Sequence, residues 1–414
     1  MSGGLWITGV GAATRQGPTL ADLERGLREP SEVGDHTVGA AGAAAALVEA
    51  LEMAGLGPRL RVNAALFVGC TWAGLDESEL AVESHVNDQD PDDVAWSRHG
   101  SDHILARLTR SSGVGGLSLV VSAAGGGSAE ALELGARWLV SSASPLAVVG
   151  GVQLETRVGQ QCFADRVGVD PAGCRPHAPD RRGTTLATGA GFLVLERAAH
   201  AAQRGATPLA SLEAIRMQSG GNALARLLQR AQADAPDLWL LHGSGGVAED
   251  AEEAGALKTV LGEPAPGLAA SKALVGHTQG AAAALDAVIA ALALRGGFFP
   301  CLEPGAGLSV VSAERLVPRS ASVLCTNLLG RAWALHLRRV DAEPEASESD
   351  LAPLPEVLGA PSDIVPIAPP EELEEADPDE IESEEPDEPE GQPNPFASDF
   401  MPVEPPEDPP EEAP

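Results

Sequence analysis

Two histidines and one lysine lie in short glycine-rich segments whose residue types could support chemistry. Lys272 and His277 belong to Ser271-Lys-Ala-Leu-Val-Gly-His-Thr-Gln-Gly280, and His242 belongs to Leu241-His-Gly-Ser-Gly-Gly-Val-Ala-Glu-Asp250. A neutral imidazole can donate a hydrogen bond to a carbonyl oxygen, and an ammonium group can hold a neighbouring carboxylate or histidine in place. Only two of the 27 basic residues are lysines, so we interpret Lys272 as a position that needs lysine. The simpler alternative is that all three side chains complete turns in a core.

The elements that must position these side chains follow from the apolar pattern. Short apolar runs bounded by glycine or polar residues predict buried strands at 5–10, 64–69, 117–122, 146–150, 191–196, 238–242, 323–328 and 333–337. Alanine-rich stretches predict helices, most clearly at 40–53, 128–140, 248–261 and 280–294. Strands that are apolar on both faces need helices on both faces, so the alternation indicates α/β layers with largely buried sheets.

The formal net charge of −33 is concentrated at one end of the chain. Residues 341–414 hold 26 of the 60 acidic residues, 18 prolines and no lysine or arginine. A segment of that composition cannot bury enough apolar surface to offset the entropy of ordering, so we predict that it is disordered. The whole chain is 44% hydrophobic, which is enough for the remaining residues to fill a sizeable core.

The two histidine segments carry a resemblance to a known family. Residues 271–280 are similar to the (S/T)-K-x-x-x-G-H-x-x-G signature of β-ketoacyl-carrier-protein synthases, and residues 241–253 resemble that family's H-G-T-x-x-x-x-x-D-x-x-E element. Three apolar segments extend the resemblance: Ile7-Thr-Gly-Val-Gly-Ala12, Val148-Val-Gly-Gly-Val152 and Gly189-Ala-Gly-Phe-Leu-Val-Leu-Glu196. Together the matches cover residues 5–338 in the family's order.

The resemblance implies a five-layered αβαβα thiolase-like fold of the α/β class. In that fold two pseudo-equivalent halves pack together, and the active site lies between them. We therefore predict an N-terminal ketosynthase-like half at residues 1–198, a C-terminal ketosynthase-like half at 199–340, and the disordered Pro/Glu/Asp-rich tail at 341–414.

The resemblance also implies roles for the three residues named first. In a condensing synthase, two neutral imidazoles donate hydrogen bonds to the thioester carbonyl of a malonyl group and stabilise the enolate that forms as CO₂ leaves. His242 and His277 match those positions, and Lys272 matches the lysine beside them. We expect these three residues to be retained from a catalytic site.

The nucleophile position of the family is different in this chain. Val120-Val-Ser-Ala-Ala-Gly-Gly-Gly-Ser-Ala-Glu-Ala131 aligns without gaps with the family pattern S-x-A-C-x-x-G-x-x-A, which places Gly125 where the cysteine nucleophile is expected. A thiol at a helix N-terminus is favoured as the reactive thiolate, whereas glycine has no side chain that can be acylated. Ser122, Ser128 and Cys162 are nearby, but none matches the nucleophile position.

Three further segments depart from the family pattern. Arg175-Pro-His-Ala-Pro-Asp-Arg-Arg-Gly183 stands where the family has R-P-F-D-x-x-R-D-G, and Thr188 stands where a glutamate is expected. The C-terminal loop has Leu328 in place of the gating phenylalanine, in a stretch that carries one donor of the family's oxyanion hole. Several such losses indicate relaxed catalytic constraint.

These observations leave several functions open. The first is a non-condensing partner subunit of an active ketosynthase, similar to the chain-length factors of fatty-acid or polyketide biosynthesis. The second is catalytic: decarboxylation of malonyl-carrier protein, or residual 3-oxoacyl-carrier-protein synthase activity, which is an acyltransferase reaction. The third is a scaffold without enzymatic activity that binds partners through its acidic tail. Whether the protein is an enzyme is left undecided by the sequence.

The expected partners are an acyl carrier protein, reached through a partner synthase, and a second ketosynthase chain in a homodimer or heterodimer. We expect no nucleic-acid binding, because no basic patch interleaved with aromatic residues is present. No cofactor and no metal site are expected. The five cysteines form no CxxC pair, and neither a signal peptide nor a sufficiently long apolar span is present, so we predict a cytoplasmic protein without membrane segments.

Overall fold

The computed structural model describes most of the chain before residue 341. The described residues are 4–29, 34–72, 74–87, 98, 100–170, 172–231, 236–261, 267–298 and 317–340. The predicted acidic tail and Cys301 lie outside them, so the disorder of the tail stays a prediction.

Ten strands form one mixed sheet in the described part of the chain. They are β1 Leu5–Ala13, β2 Ala65–Gly69, β3 Ser118–Val121, β4 Leu146–Gln153, β5 Gly189–Arg197, β6 Ala210–Ser219, β7 Leu238–Leu240, β8 Gly267–Ala269, β9 Ser320–Thr326 and β10 Arg331–Arg338. Their spatial order is β3-β2-β4-β5-β1-β6-β10-β9-β7-β8. Every residue of β2 and β4 is buried, as their unbroken apolar sequences predict.

The sheet consists of two groups of five strands with mirrored order. In the first group β3, β2 and β4 are parallel, and β5 is antiparallel to both β4 and β1. In the second group β8, β7 and β9 are parallel, and β10 is antiparallel to both β9 and β6. The groups meet through a short antiparallel pairing of β1 with β6. This arrangement is that of two similar halves joined along one edge.

Helices cover both groups of strands. Among the described residues they are α1 Leu20–Arg28, α2 Ala40–Met53, α3 Pro58–Arg61, α4 Leu75–Val86, α5 Ser101–Ser112, α6 Gly127–Ser141, α7 Arg157–Val167, α8 Ala198–Gln203, α9 Ala223–Ala231, α10 Val247–Leu261, α11 Lys272–Val275 and α12 Ala282–Gly296, with a 3₁₀ turn at Gln279–Ala281 before α12.

Helix α12 packs against strands of both groups. Helix α12 is buried from Ala282 to Leu294, and it contacts β4, β5 and β9 as well as α6. The stretch Gln279–Gly296 is long and apolar enough to cross a membrane by length and composition alone, yet 89% of it is buried inside the protein. That burial is typical of a core helix, although the sequence analysis expected no apolar span of sufficient length.

Candidate functional site

His242 and His277 lie side by side where the second group of strands ends. His242 follows β7, and His277 stands between α11 and the 3₁₀ turn that precedes α12. Their ring centroids are 5.4 Å apart and the rings are nearly perpendicular, at 81°. The ring of Phe163, from α7 of the first half, packs edge-on against His277 with centroids 5.2 Å apart. The two predicted histidines therefore form one site that contacts both halves.

The backbone and ring of His242 are held by partners on every side. Its N–H donates to the carboxylate of Glu253 at 2.8 Å, and its carbonyl accepts a hydrogen bond from Lys272 Nζ. The ring atom Nδ1 accepts from the backbone N–H of Thr326, at 3.3 Å. The position of the imidazole is thus set by three different elements.

His277 is fixed mainly by backbone contacts. Its N–H donates to the carbonyl of Thr185 at 2.7 Å, and its carbonyl accepts from the N–H of Ala187 at 3.2 Å. The N–H of Gln279, two residues further on, donates to His277 Nδ1 at 3.1 Å. Gln279 has a left-handed φ of 41°, which folds the chain back over the ring.

Both imidazoles are neutral hydrogen-bond donors at neutral pH. Burial lowers the pKa of His242 and of His277 well below 6.5, and the charge of Lys272 lowers both further. Because Nδ1 accepts a backbone N–H in each ring, the single proton of the neutral form sits on Nε2. The pair can therefore donate two N–H groups to an oxygen without carrying charge.

Lys272 is buried behind the histidines and is 1% exposed. Its ammonium group lies 3.7 Å from Asp286 Oδ2, and Ser271 Oγ donates to the other oxygen of Asp286. Burial raises the pKa of Asp286, while Lys272 and the Ser271 hydrogen bond oppose that rise. Lys272 contacts the His242 carbonyl and Asp286 and does not line the pocket.

The first half contributes a sharp turn between β3 and α6. Ala124 and Gly125 both have left-handed φ angles, 43° and 96° respectively, and α6 begins two residues later. A Cβ built on Gly125 would have no atom within 4 Å, whereas one on Gly126 would lie 2.6 Å from the ring of Trp333. The turn therefore leaves open space at residue 125 and none at 126.

Gly125, His242 and His277 line one pocket. The cavity has a volume of about 40 Å³, and Phe163, Glu249 and Leu328 complete much of its wall. A cavity of this size holds a few water molecules, whereas sites for organic ligands usually exceed about 300 Å³. Three of the four predicted site residues thus meet in a single narrow pocket, and the fourth, Lys272, lies directly behind it.

Comparison with known proteins gives this arrangement a family. The model of the "Beta-ketoacyl synthase, N-terminal domain" matches residues 7–201, and that of the "Beta-ketoacyl synthase, C-terminal domain" matches residues 198–303. The chain belongs to the β-ketoacyl synthase family. The family and the thiolase-like α/β fold predicted from sequence are both confirmed.

Curated relatives of the synthase family match part of the chain. Nodulation protein E of Rhizobium leguminosarum bv. trifolii is 35% identical over 146 residues, which are 31% of this chain and 36% of the relative. The 3-oxoacyl-[acyl-carrier-protein] synthase 2 of Mycobacterium bovis is 30% identical over 231 residues, which are 48% of this chain and 55% of the relative. The chain spans about half the length of these relatives or less.

Solved ketosynthase structures share the fold over most of the chain. "The ishigamide ketosynthase/chain length factor" superposes with a TM-score of 0.73 at 24% identity, covering 82% of this chain and 100% of that one. A type II polyketide synthase acyl-carrier protein in complex with its ketosynthase gives the same TM-score and coverage at 17% identity. At these identities the likeness shows the fold alone.

The loop between β9 and β10 of this synthase-family chain closes over the turn at Gly125. Asn327 Nδ2 donates to the carbonyl of Ala123 at 2.9 Å, and Asn327 Oδ1 accepts the N–H groups of Leu329 and Arg331. Leu328 on the same loop is 44% exposed at the edge of the pocket. The loop therefore couples the turn of the first half to the hairpin of the second.

The nearby side chains considered from sequence as substitute nucleophiles have other environments. Ser128 is fully buried, and its hydroxyl oxygen accepts a hydrogen bond from the N–H of Ala284. Cys162 is exposed on α7. Neither residue is part of the pocket wall, and the same holds for Ser122.

Sequence reasoning missed one buried group beside the pocket. His177, Asp250 and Glu253 bring a ring nitrogen and two carboxylates within 4.8 Å of one another, a spacing that a metal ion could use. Their oxygens already accept hydrogen bonds from the backbone N–H groups of His177, His242, Gly243 and Gly245. We interpret the group as a hydrogen-bonded support. Two signals were available: Asp250 and Glu253 belong to the family-like D-x-x-E element, and His177 lies in the segment that departs from the family pattern.

Proposed function

We propose that this chain is a non-condensing subunit of a ketosynthase heterodimer in fatty-acid or polyketide biosynthesis, with a role like that of a chain-length factor. The observation that carries the proposal is Gly125, which faces the same pocket as His242 and His277 and offers no atom for acylation. The resemblance of residues 122–131 to the family pattern S-x-A-C-x-x-G-x-x-A implies that this is the position of the nucleophile. A site with carbonyl-binding donors and no nucleophile can contact an acyl chain but cannot hold one covalently.

The size of the pocket and the edge of the sheet support a partner role. The cavity of about 40 Å³ cannot hold an acyl chain of its own. Strand β3 is at the end of the sheet, and Leu117 and Leu119 are 40% and 41% exposed there. An uncovered apolar edge strand is a ready template for pairing with another chain. In this proposal the partner synthase pairs along β3, supplies the cysteine and binds the acyl carrier protein.

A reconstitution experiment tests the role directly. The protein is purified alone and co-expressed with ketosynthases that carry the cysteine, and each preparation receives malonyl- and acyl-carrier proteins. We expect a 3-oxo product only in mixtures that contain a partner. An acyl adduct on the isolated chain, with turnover to a 3-oxo product, would overturn the proposal.

Matched surface variants test the pairing surface. Leu119→Glu places a charge on the β3 edge, and we expect it to abolish co-purification with the partner synthase. Val140→Glu places the same charge on α6, at a residue that is 64% exposed, and serves as the control. Equal loss of the partner in both variants would argue against pairing through β3.

A second candidate function has one specific observation in its favour. Two neutral imidazoles with free Nε2–H groups can stabilise the enolate formed when a bound malonyl thioester loses CO₂. Glu249 in the pocket wall opposes this, because its carboxylate repels the malonyl carboxylate. Release of CO₂ from malonyl-carrier protein by the isolated chain would identify it as a decarboxylase.

The free cysteines of the described residues agree with a cytoplasmic location for either function.

A further inference from the structure

Glu253 lies beneath the peptide of His242 and accepts hydrogen bonds from three donors. Its Oε1 accepts the N–H of His242, and its Oε2 accepts the N–H of Gly243, both at 2.8 Å. The third donor is His177 Nε2, 3.0 Å from Oε2. Glu253 can hold this position only as an acceptor, so its ionised form fits all three contacts.

The buried charges around the pocket occur in pairs. Lys272 Nζ is 3.7 Å from Asp286, and Arg181 Nε is 3.7 Å from Asp250. Glu253 has His177 as its ion-pair partner, with side chains that are 3% and 1% exposed. Because an unpaired buried carboxylate is costly, a positive charge on His177 would balance the third carboxylate.

The surroundings of His177 favour that charge. Burial would lower the pKa of His177, but the hydrogen bond and charge of Glu253, helped by Asp250, outweigh burial and the opposing charge of Arg181, so the pKa is raised. The same contacts lower the pKa of Glu253 although burial would raise it. The charge of His177 is also one of the causes that lower the pKa of His242, after burial, Lys272 and His277.

We propose that His177 is a positioning residue whose imidazolium keeps Glu253 ionised beneath the His242 peptide, so that the His242 ring stays fixed and neutral with its Nε2–H available to the pocket. This inference extends the carbonyl-binding site of the proposed function. His177 lies outside the pocket wall and acts only through Glu253 and His242. Its left-handed backbone, with φ of 57°, aims the side chain inward, toward Glu253.

Nitrogen-detected NMR of the histidine rings in the full-length protein tests this role. In the wild type we expect His242 to remain the neutral Nε2–H tautomer as the pH falls from 8 to about 5.5. In His177→Phe the loss of the positive charge should raise the His242 midpoint. His177→Gln keeps a donor to Glu253 and should preserve the Nε2–H tautomer while still showing the raised midpoint.

The controls separate positioning from folding. His277 owes its lowered pKa to burial and to Lys272, so its midpoint should shift less than that of His242 in both variants. If His177→Phe does not fold, the titration midpoint of His242 is measured in His177→Gln instead. An unshifted His242 midpoint in a folded variant would overturn the proposal. The measurement needs no partner, so its failure is distinguishable from failure of the reconstitution experiment.

Discussion

The two halves of the molecule contain one equivalent segment each, a strand leading through a loop into a central helix. In the first half β3 leads through residues 122–126 into α6, and in the second half β8 leads through residues 270–281 into α12. The two helices contact each other. The longer loop carries Lys272 and His277, whereas the shorter loop presents only Ala124 and Gly125, which have no reactive side chain, to the pocket. The two loops are therefore equivalent in topology, but only the loop of the second half carries side chains that can do chemistry.

This contrast shows that a nucleophile would have to be added to the loop of the first half. The loop of the second half carries hydrogen-bond donors with a defined tautomer and a buried ion pair. The loop of the first half has a turn, the start of a helix and open space at Gly125, but no reactive atom.

The largest effect is expected from giving the short loop a nucleophile. In Gly125→Cys the new Cβ meets no atom within 4 Å, and the N-terminus of α6 favours the thiolate. We expect a stoichiometric adduct after incubation with acetyl-pantetheine, whose two-carbon acyl group needs little of the narrow pocket. Intact-protein mass spectrometry detects the adduct, and the wild type should show none. The left-handed φ of 96° should cost about 1–2 kcal/mol of stability.

Gly126→Cys is the matched control for that experiment. Its Cβ would lie 2.6 Å from the Trp333 ring, so the side chain has no room at the neighbouring position. We expect lower stability and no adduct. Equal labelling of the two variants would show that the pocket does not select residue 125.

A smaller effect, on stability, is expected from removing the buried ion pair between Lys272 and Asp286. Lys272→Met leaves Asp286 buried without its cation, and breaking such a pair typically costs about 3–5 kcal/mol. Urea denaturation measures the loss. Lys258→Met, which changes the other lysine on the exposed side of α10, should cost less than about 0.5 kcal/mol. Similar losses in both variants would contradict a structural role specific to Lys272.

The smallest effect is a pH dependence from the histidine side. His242 and His277 have folded-state pKa values below the unfolded value of 6.5, so the unfolded chain takes up protons first as the pH falls. Stability should fall below pH 6.5 by up to about 1.4 kcal/mol per pH unit for each group. Urea denaturation between pH 7.5 and 5.5 measures this slope. His277→Gln should reduce it.

His177 should act in the opposite direction and in another pH range. Its folded-state pKa is raised above 6.5, so its stabilisation is complete below pH 6.5 and is lost as the pH rises through the folded value. In His177→Phe the stability between pH 6.5 and 8 should therefore lose part of its dependence on pH. An unchanged slope above pH 6.5 would contradict a charged His177.

Much of the fold could be predicted from apolar runs. All eight predicted strands and all four clearest helices are present, and the range 40–53 coincides with α2. The predicted strand at 323–328 ends earlier, at Thr326, because the loop that follows turns over Gly125. Strand β6 was missed since it has no buried residue after Leu212 and so contains no long apolar run, and β8 was missed since it has only three residues. The domain boundaries at 198/199 and 340/341 stay predictions.

The sequence by itself determined the family, the buried strands and three of the residues that line the pocket, Gly125, His242 and His277, because these depend on local apolar patterns and on short motifs with fixed spacing. The tertiary structure alone decided which nitrogen of each histidine carries the proton, how narrow the pocket is and that His177 stands beneath His242. Those properties arise from backbone donors and charges brought together from distant parts of the chain, such as Thr326 at His242 and His177 at Glu253. Hydrogen bonds and buried charges act over a few ångströms in space, and no pattern along the chain records that proximity.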